Sequence, residues 1–305
     1  MSAAPGPSAN ESKPFHLRLP ATSANLGPGF DAVGLAMALY LTIDATVAEE
    51  FHIDATGRNP DLCSSLDNNL ILTTYIDVLA NAGILAPALH LRLQNEIPLG
   101  MGCGSSAAAL LAGVLLANHF GNLNWTRQQI LEEACSREGH PDNVAACFMG
   151  GMTVSAGTKN GVVTATCGQD LAWNLWLALP SASLSTKKAR ALLPATYRRE
   201  DAVANIQSTA LLVAAFAQGR GELLRTAMRD RFHQPYRSKA CPLLPLLLPL
   251  AENSAVLGVA LSGAGPSVLL ISEAFDPAFE TLIRDAVKDP GLEIIHTTIA
   301  KNVNL

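Results

Sequence analysis

The stretch that decides the fold is PLGMGCGSSAAA, residues 98–109. Three alternate glycines, Gly100, Gly102 and Gly104, follow a predicted strand, and two serines open a predicted helix of small residues. Glycines let the backbone turn its N–H groups toward an anion, and the first turn of a helix adds free donors and a partial positive charge. The stretch therefore predicts a phosphate-binding loop; a tight turn used only for close packing is the alternative.

This loop differs from two well-known glycine-rich phosphate motifs. In a Walker A loop the last glycine is followed by Lys and then by Ser or Thr, whereas here Gly104 is followed by two serines. A Rossmann fingerprint has a further glycine three residues after the second one and an acidic residue about 20 residues further on. The spacing therefore excludes both motifs.

A second signal is a group of polar residues within residues 138–143. Glu138, His140, Asp142 and Asn143 lie between an amphipathic helix and an apolar stretch. A carboxylate beside a phosphate can hold Mg²⁺, and one beside a hydroxyl can orient it or take its proton. The alternative is a solvated helix end, followed by Asp and Asn that cap the next element.

Two further stretches are rich in glycine and small polar residues. Residues 20–31 read PATSANLGPGFD, for which an ordinary loop stabilised by Asn and Asp is the alternative to a binding loop. Residues 261–267 read LSGAGPS and stand between two predicted strands, so a plain hairpin connection is the alternative there.

The composition is that of a folded, mildly acidic protein. Of its 305 residues 49% are hydrophobic and 15% are charged, and the formal net charge is −5, which excludes a disordered chain and a general nucleic-acid binder. The cleanest apolar run, residues 107–117, is well short of the ~20 residues that cross a membrane. Residues 1–14 lack the features of a signal peptide and predict a disordered tail. The six cysteines form no CxxC pair, which indicates reduced thiols in a cytoplasmic protein.

Strands and helices mix without a strict alternation, which favours an α+β fold over a doubly wound sheet. Strands are predicted over residues 16–19, 39–47, 89–93, 152–155, 175–179, 256–261, 268–272 and 292–299, and helices over 70–82, 107–118, 125–136, 202–217, 220–231 and 279–287. Thr126 and Gln129 have the spacing of a capping box. Residues 158–173 have the weakest pattern, so we expect two domains, residues 15–165 and 166–305.

The four segments and their order resemble the GHMP family of small-molecule kinases. Residues 20–31, 98–108 and 262–267 match its three motifs, and the resemblance extends over roughly residues 15–272. The segments ATSANLGPGFDAVGLA, EGHPDNVA, STKKAR and DRFHQPYR resemble the branch that phosphorylates the side-chain hydroxyl of L-homoserine in threonine biosynthesis. The resemblance implies ATP and Mg²⁺, an N-terminal domain like ribosomal protein S5, a ferredoxin-like C-terminal domain and, by analogy, a homodimer.

The resemblance also assigns roles to individual residues. It implies that Asn69 lies near the adenine and that Ser106 and Glu138 ligate Mg²⁺. The residues implied to bind ATP along the loop are Pro98, Leu99, Gly100, Met101, Gly102, Cys103, Gly104, Ser105 and Ser106. The residues implied to bind homoserine are Asn25, Asp31, His140, Asp142, Asn143, Thr186, Arg190 and Arg237.

Homoserine is a zwitterion, and its charges suit this assignment. Its carboxylate fits the planar donors of Arg190 and Arg237, and its ammonium fits Asp31. With Glu138 and Ser106, Asp142 is assigned to catalysis; it is either a general base or a group that positions the hydroxyl, and our hypothesis is positioning.

Two residues of the loop depart from the family pattern. Met101 and Cys103 stand where the family usually has Arg and Leu. Cys103 lies beside a helix N-terminus, which leads to the hypothesis of an activated thiolate that ATP protects from alkylation, with a buried inert thiol as the alternative.

Two other functions stay open at this point. A GHMP kinase for another small alcohol would not need both Arg190 and Arg237. A non-catalytic binding protein of the same fold would not need Glu138, Ser106 and Asp142, and all three are present.

Overall fold

The computed structural model describes residues 14–159, 161–182 and 186–301, without the side chains of residues 186 and 187. The strands are β1 (Phe15–Ala24), β2 (Val33–Val47), β3 (His52–Gly57), β4 (Leu89–Asn95), β5 (Met152–Thr158), β6 (Gly161–Cys167), β7 (Asn174–Leu179), β8 (Gly258–Leu261), β9 (Val268–Ser272) and β10 (Glu293–Thr298). The helices are α1 (Pro60–Ser64), α2 (Leu70–Asn81), α3 (Ser105–Phe120), α4 (Arg127–Glu138), α5 (Pro141–Met149), α6 (Thr186–Ala191), α7 (Arg199–Gln218), α8 (Leu224–Ala227), α9 (Gln234–Arg237), α10 (Leu243–Leu247) and α11 (Ala278–Val287).

The strands form two sheets, one in each half of the chain. The first has the order β3-β4-β2-β5-β6, with β1 also paired to β2, and its pairs are antiparallel except for the parallel pair of β3 and β4. The second is antiparallel with the order β10-β7-β9-β8. This mixed architecture agrees with the predicted α+β fold.

One apolar core joins the two halves. Successive side chains of β7 point to opposite faces of its sheet. Leu175 and Leu177 pack into the core that also holds α3 and the first sheet, whereas Trp176 packs with α10 and α11 in a second cluster. Burial on both faces explains why β7 reads as a continuous apolar run. The cleft between the halves is therefore fixed by shared packing.

Helix α3 is the centre of the first half. Most of its side chains are buried, and they are mainly Ala, Leu and Val. Gly113 allows α2 to approach closely, because a Cβ at this position would lie 2.6 Å from Thr74 Cβ. Small residues thus let this helix be surrounded on all sides, which positions its N-terminus in the cleft.

Several elements differ from the sequence prediction. The prediction missed β3, α1, α5, β6, α6, α9 and α10, and the single helix expected over residues 220–231 is wrong. A 3₁₀ turn, Gly221–Leu223, and the one-turn helix α8 take its place. After α8 the Asp230 side chain turns the chain, because it accepts hydrogen bonds from the backbone N–H groups of Phe232, His233 and Gln234. The domain boundary expected after residue 165 falls inside β6, which pairs with β5 along its length.

Two further expectations concern the N-terminal tail and membrane crossing. The predicted disordered tail lies outside the described residues, apart from Pro14. None of the helices in the described part of the chain combines the length and the apolar character that a membrane crossing needs.

Candidate active site

The loop over residues 98–104 has the backbone geometry of an anion cradle. Gly100, Gly102 and Gly104 adopt left-handed φ angles of 70°, 76° and 70°. Helix α3 begins at Ser105, and its N-cap Gly104 has no side chain to occupy the first N–H groups. Free backbone donors at the positive end of a helix favour a phosphate group at this place.

Contacts from both halves of the chain hold this loop. The backbone N–H of Thr22, near the end of β1, donates to Cys103 O at 3.0 Å. Ser262, in the glycine-rich turn between β8 and β9, donates through its hydroxyl to Gly102 O at 2.8 Å. That turn is a hairpin connection, which was the alternative for its sequence, and it also packs against the predicted phosphate loop.

Helices α4 and α5 place Glu138 next to the start of α3. Helix α4 ends at Glu138, and Gly139 in a left-handed conformation turns the chain into α5. Ser106 Oγ donates a hydrogen bond to Glu138 Oε2 at 3.2 Å. Burial raises the pKa of Glu138, although His140 and Ser106 oppose the shift. A cation at this place would therefore stabilise the charged carboxylate.

Asp142, in the first turn of α5, is 2% exposed and forms the centre of a hydrogen-bond network. Its Oδ1 atom accepts from His140 Nδ1 at 2.6 Å and from the backbone N–H of Asn143 at 2.7 Å. Burial lowers the pKa of His140, but the hydrogen bond and charge of Asp142 and the charge of Glu138 outweigh it and raise that pKa overall. Thr22 Oγ1 donates to Asn143 Oδ1 at 2.7 Å, and the sequence analysis did not single out Thr22 as a site residue.

Asp31 and Arg190, both predicted to bind substrate, bind each other across the cleft. Arg190 Nη1 donates to Asp31 Oδ2 at 3.0 Å and Nη2 donates to Oδ1 at 2.7 Å. Both side chains are partly exposed, at 38% for Arg190 and 35% for Asp31. The pair joins the loop after β1 to helix α6, and it lies at the edge of the candidate site.

Arg237 is much more deeply buried than Arg190. It is 1% exposed, and its Nη1 atom contacts His233 Nδ1 at 3.1 Å and Gly263 O at 3.3 Å. His233 Nε2 lies 2.8 Å from Gly27 O. A guanidinium only donates and a carbonyl only accepts, so His233 is neutral, with its proton on Nε2. His233 is a functional candidate that the sequence analysis missed, because its role depends on contacts far along the chain.

These residues surround one small cavity of about 130 Å³. Its predicted members are Asn25, Asp31, Gly100, Gly102, Cys103, Gly104, Ser105, Ser106, Glu138, His140, Asp142, Asn143, Arg190 and Arg237. The structure thus brings together most of the predicted site residues from both halves of the chain.

A second, larger and more apolar cavity of about 530 Å³ adjoins the first. Ser105 and Ser106 line both cavities, and Leu99 and Asn69 line the second one. The Asn69 side chain caps α2 by accepting from the N–H groups of Ile71 and Leu72, and it donates to Cys63 O and Ser65 O. Its polar atoms are engaged, so Asn69 shapes this cavity by holding its wall.

The remaining predicted residues have other positions. Pro98 is buried and Met101 packs against the apolar core, and neither lines the two cavities. The side chain of Thr186 lies outside the described residues. Asn25 lines the small cavity, but its amide donates to Gly263 O and its Oδ1 accepts from the Asp31 N–H, so it also fixes the loop.

The hypothesis of an activated thiolate at Cys103 is wrong. The side chain is 1% exposed and packs in the apolar core, and burial raises the pKa of its thiol to about 12. The thiol lies 3.9 Å from the carbonyl oxygen of Met101 in the same loop. Desolvation therefore outweighs the helix N-terminus, and the alternative of an inert thiol is correct.

We expect Cys103 to resist alkylation in the folded protein. Iodoacetamide at neutral pH should label the partly exposed Cys63 and Cys167 first, while Cys103 reacts as slowly as the buried Cys147. Mass spectrometry of peptides after timed labelling measures these rates. Rapid labelling of Cys103 that ATP prevents would contradict the structure.

Comparison with known proteins agrees with this geometry. The model of the GHMP kinases N-terminal domain matches residues 69–151, and that of the GHMP kinases C-terminal domain matches residues 212–286. The chain is 47% identical over 260 residues to a homoserine kinase of Solibacter usitatus, covering 85% of each chain. It is 37% identical over 286 residues to a homoserine kinase of Synechocystis, covering 92% of this chain and 93% of the relative.

Solved structures show the same fold. A putative homoserine kinase of Listeria monocytogenes superposes with a TM-score of 0.74 at 28% identity, covering 95% of this chain and 98% of that one. A mevalonate kinase of L. major has a TM-score of 0.71 at 14% identity, covering 95% and 97%, which shows the fold alone. The two matching domains, the long relatives and the glycine loop facing a polar cleft all lead to one conclusion: this chain belongs to the homoserine kinases of the GHMP kinase family.

Proposed function

We propose that this protein transfers the γ-phosphoryl group of ATP to the side-chain hydroxyl of L-homoserine, as a step in threonine biosynthesis. The observation that carries the proposal is that the glycine loop and the arginines of the other half of the chain, Arg190 and Arg237, line one cavity. A phosphate cradle thereby faces two guanidinium groups that suit an amino-acid carboxylate.

The two adjoining cavities would hold different parts of the nucleotide. The larger apolar cavity suits the adenine, and the helix N-terminus shared by both cavities suits the phosphates. Ser106 and Glu138 offer two oxygen ligands, which fit Mg²⁺, and the partly buried carboxylate of Glu138 would be stabilised by such an ion. When bound, Mg²⁺ neutralises charge that develops on the phosphates.

We expect Glu138→Gln to raise the Mg²⁺ concentration needed for half-maximal activity by about tenfold or more, because the amide is a weaker ligand. Steady-state rates over a Mg²⁺ titration measure this shift. The control is Glu133→Gln on the same helix, where Glu133 pairs with Arg137 outside the cavities. An unchanged Mg²⁺ requirement would contradict the role of Glu138.

Homoserine would bind by exchanging ionic partners. Its ammonium offers Asp31 a new cation, and its carboxylate offers Arg190 and the buried Arg237 a new anion. The Asp31–Arg190 pair is partly exposed, so parting it costs little. A substrate that carries both charges gives Asp31 and Arg190 new ionic partners in place of each other. An uncharged alcohol does not.

Asp142 would position the hydroxyl of homoserine. Its Oδ1 atom is held by His140 and Asn143, so the carboxylate has one orientation in the cavity wall. Phosphoryl transfer depends mainly on alignment and charge neutralisation and needs little covalent chemistry from the protein. A rigid acceptor beside the phosphate cradle supplies that alignment.

His233 is expected to act as a positioning residue for Arg237. We expect His233→Asn to raise KM for homoserine about tenfold with kcat changed less, because the shorter side chain cannot bridge Arg237 and Gly27. Steady-state kinetics with homoserine as the varied substrate measure both constants. His119→Asn is the control, since His119 stacks on Phe15 outside the cavities.

The pH dependence of stability gives a second readout for His233. Burial lowers the pKa of this imidazole, so the unfolded chain binds a proton first as the pH falls below about 6.5. The free energy of unfolding should therefore decrease on acidification in this window, and His233→Asn should remove part of that decrease. Equal kinetics and equal pH dependence of both proteins would contradict the assignment.

One assay tests the proposed function against its alternatives. ADP release from ATP is measured with homoserine, threonine, serine, mevalonate and shikimate in turn. We expect the highest kcat/KM with homoserine. A clear preference for mevalonate or shikimate would indicate a GHMP kinase for another alcohol, and no turnover with any of them would indicate a binding protein.

A further inference from the structure

We propose that His52, Asp54 and His90 form a surface site for Zn²⁺ or a similar transition-metal ion, separate from the active site. The three residues lie on the edge of the first sheet, where β3 pairs with β4 in parallel register. His52 is the register partner of His90, and Asp54 lies two residues further along β3 on the same face. The intervening Ile53 and the neighbouring Leu91 are buried, so the three polar side chains occupy the solvent face.

The distances already resemble those of a metal site. His52 Nε2 lies 3.1 Å from Asp54 Oδ1, and His90 Nε2 lies 2.8 Å from Asp54 Oδ2. One ligand atom from each residue can be chosen so that all three lie within 4.8 Å of one another. Ligands about 2.0–2.2 Å from a tetrahedral Zn²⁺ lie roughly 3.3–3.5 Å apart, so small side-chain rotations suffice.

The chemistry of the donors selects the class of ion. Two imidazoles and one carboxylate suit Zn²⁺, Co²⁺, Ni²⁺ or Cu²⁺, whereas Mg²⁺ prefers oxygen ligands alone. Three protein ligands leave at least one coordination position for water or for a group from another molecule. Both imidazoles must be unprotonated to bind the ion, so its affinity should rise with pH.

The charges and strands around the three residues determine the affinity for the metal ion that we expect. Asp54 also has Arg92 as its register partner on β4, and this cation on the same face weakens the attraction for a metal ion. In return, β3 and β4 hold all three side chains side by side, which reduces the conformational entropy lost on binding. None of the three residues lines the two cavities of the active site.

The chain contains a matched control for this site. His16 and Asp44 form an exposed pair on the neighbouring strands β1 and β2, with 2.8 Å between Nδ1 and Oδ1. No second histidine completes it in the metal-ligand groupings of the described residues. A histidine–aspartate pair alone should bind the ion much more weakly than the group of three.

The test is calorimetric titration of the tag-free protein with Zn²⁺, together with the visible absorption of the Co²⁺ form. We expect one equivalent of metal, with the affinity reduced at least ~10-fold in His52→Ala and in His90→Ala and unchanged in His16→Ala. Imidazole signals of His52 and His90 should shift on Zn²⁺ addition in NMR spectra. Kinase activity should be the same in all three variants.

The active site needs a separate check, because Asp31, His140 and Asp142 also lie within metal-ligand distance of one another. The titration is therefore repeated with Asp142→Asn, which should bind Zn²⁺ with the wild-type affinity that His90→Ala has lost. A Zn²⁺ affinity that is the same in His52→Ala, in His90→Ala and in the wild-type protein would overturn the proposal. An absence of stoichiometric binding by the wild-type protein would overturn it as well.

Discussion

Replacing Asp142 with Asn should reduce kcat/KM for homoserine by about 100-fold, with most of the loss in KM. Asn has almost the same shape, and its single oxygen can keep the hydrogen bonds that His140 and Asn143 make to Oδ1. The change therefore leaves the local structure in place and converts the other carboxylate oxygen into an N–H donor. A donor cannot accept the hydrogen bond of the substrate hydroxyl, so the alcohol loses its orientation.

The way in which the loss is divided between kcat and KM shows whether Asp142 positions the hydroxyl or acts as a general base. A fall of ~10²–10⁴ in kcat at unchanged KM would contradict positioning and show that Asp142 is a general base. Asp44→Asn serves as the control, since Asp44 is an exposed partner of His16 on the first sheet and should leave both constants unchanged. Thermal unfolding of each variant separates a kinetic effect from a loss of folded protein.

The second large effect is expected for Gly104→Ala, which should lower kcat/KM for ATP by about 100-fold. Gly104 has a left-handed φ of 70°, and a Cβ at this residue would lie 1.8 Å from Thr22 Oγ1. To make room, Thr22 would have to give up its hydrogen bond to Asn143, or the glycine loop would have to open. Either change disorders the N–H groups that are to face the phosphates.

A matched glycine separates the loss of the cradle from ordinary backbone strain. Gly83 has a φ of 72°, and nothing lies within 4 Å of a Cβ built on it. Gly83→Ala should therefore cost about 1 kcal/mol of folding free energy and leave the kinetics unchanged. Equal ATP kinetics for Gly104→Ala and wild-type protein would show that the loop does not bind phosphate.

Elements with strong local signals could be predicted from the sequence. The helix expected over residues 70–82 is found as α2, and the capping box at the start of α4 has both its reciprocal bonds, between Thr126 and Gln129. The glycine-rich turn before α3 and the helix start at Ser105 also agree with the prediction. In each case the conformation depends on residues within one or two turns, so a short stretch of sequence contains the whole cause.

Elements that depend on distant partners could not be predicted. Strand β6 has a half-exposed pattern and forms because β5 lies beside it. The role of Thr22 follows from a contact with Asn143, 121 residues away, and that of His233 from a contact with Gly27, 206 residues away. Neither partner can be recognised from neighbouring residues.

The sequence by itself determined the glycine loop and the helix that follows it, the other main helices, the mixed fold class and the membership of the kinase family. Left-handed glycines, helix caps and apolar periodicity act over a few residues, and the order of motifs along the chain is independent of folding. Only the tertiary structure decided the states of the groups in the cleft. Burial makes Cys103 inert and keeps His233 neutral, and Asp31 and Arg190 meet as an ion pair. Desolvation and charge pairing depend on what surrounds a group in space, and that environment exists only when the two halves have packed together.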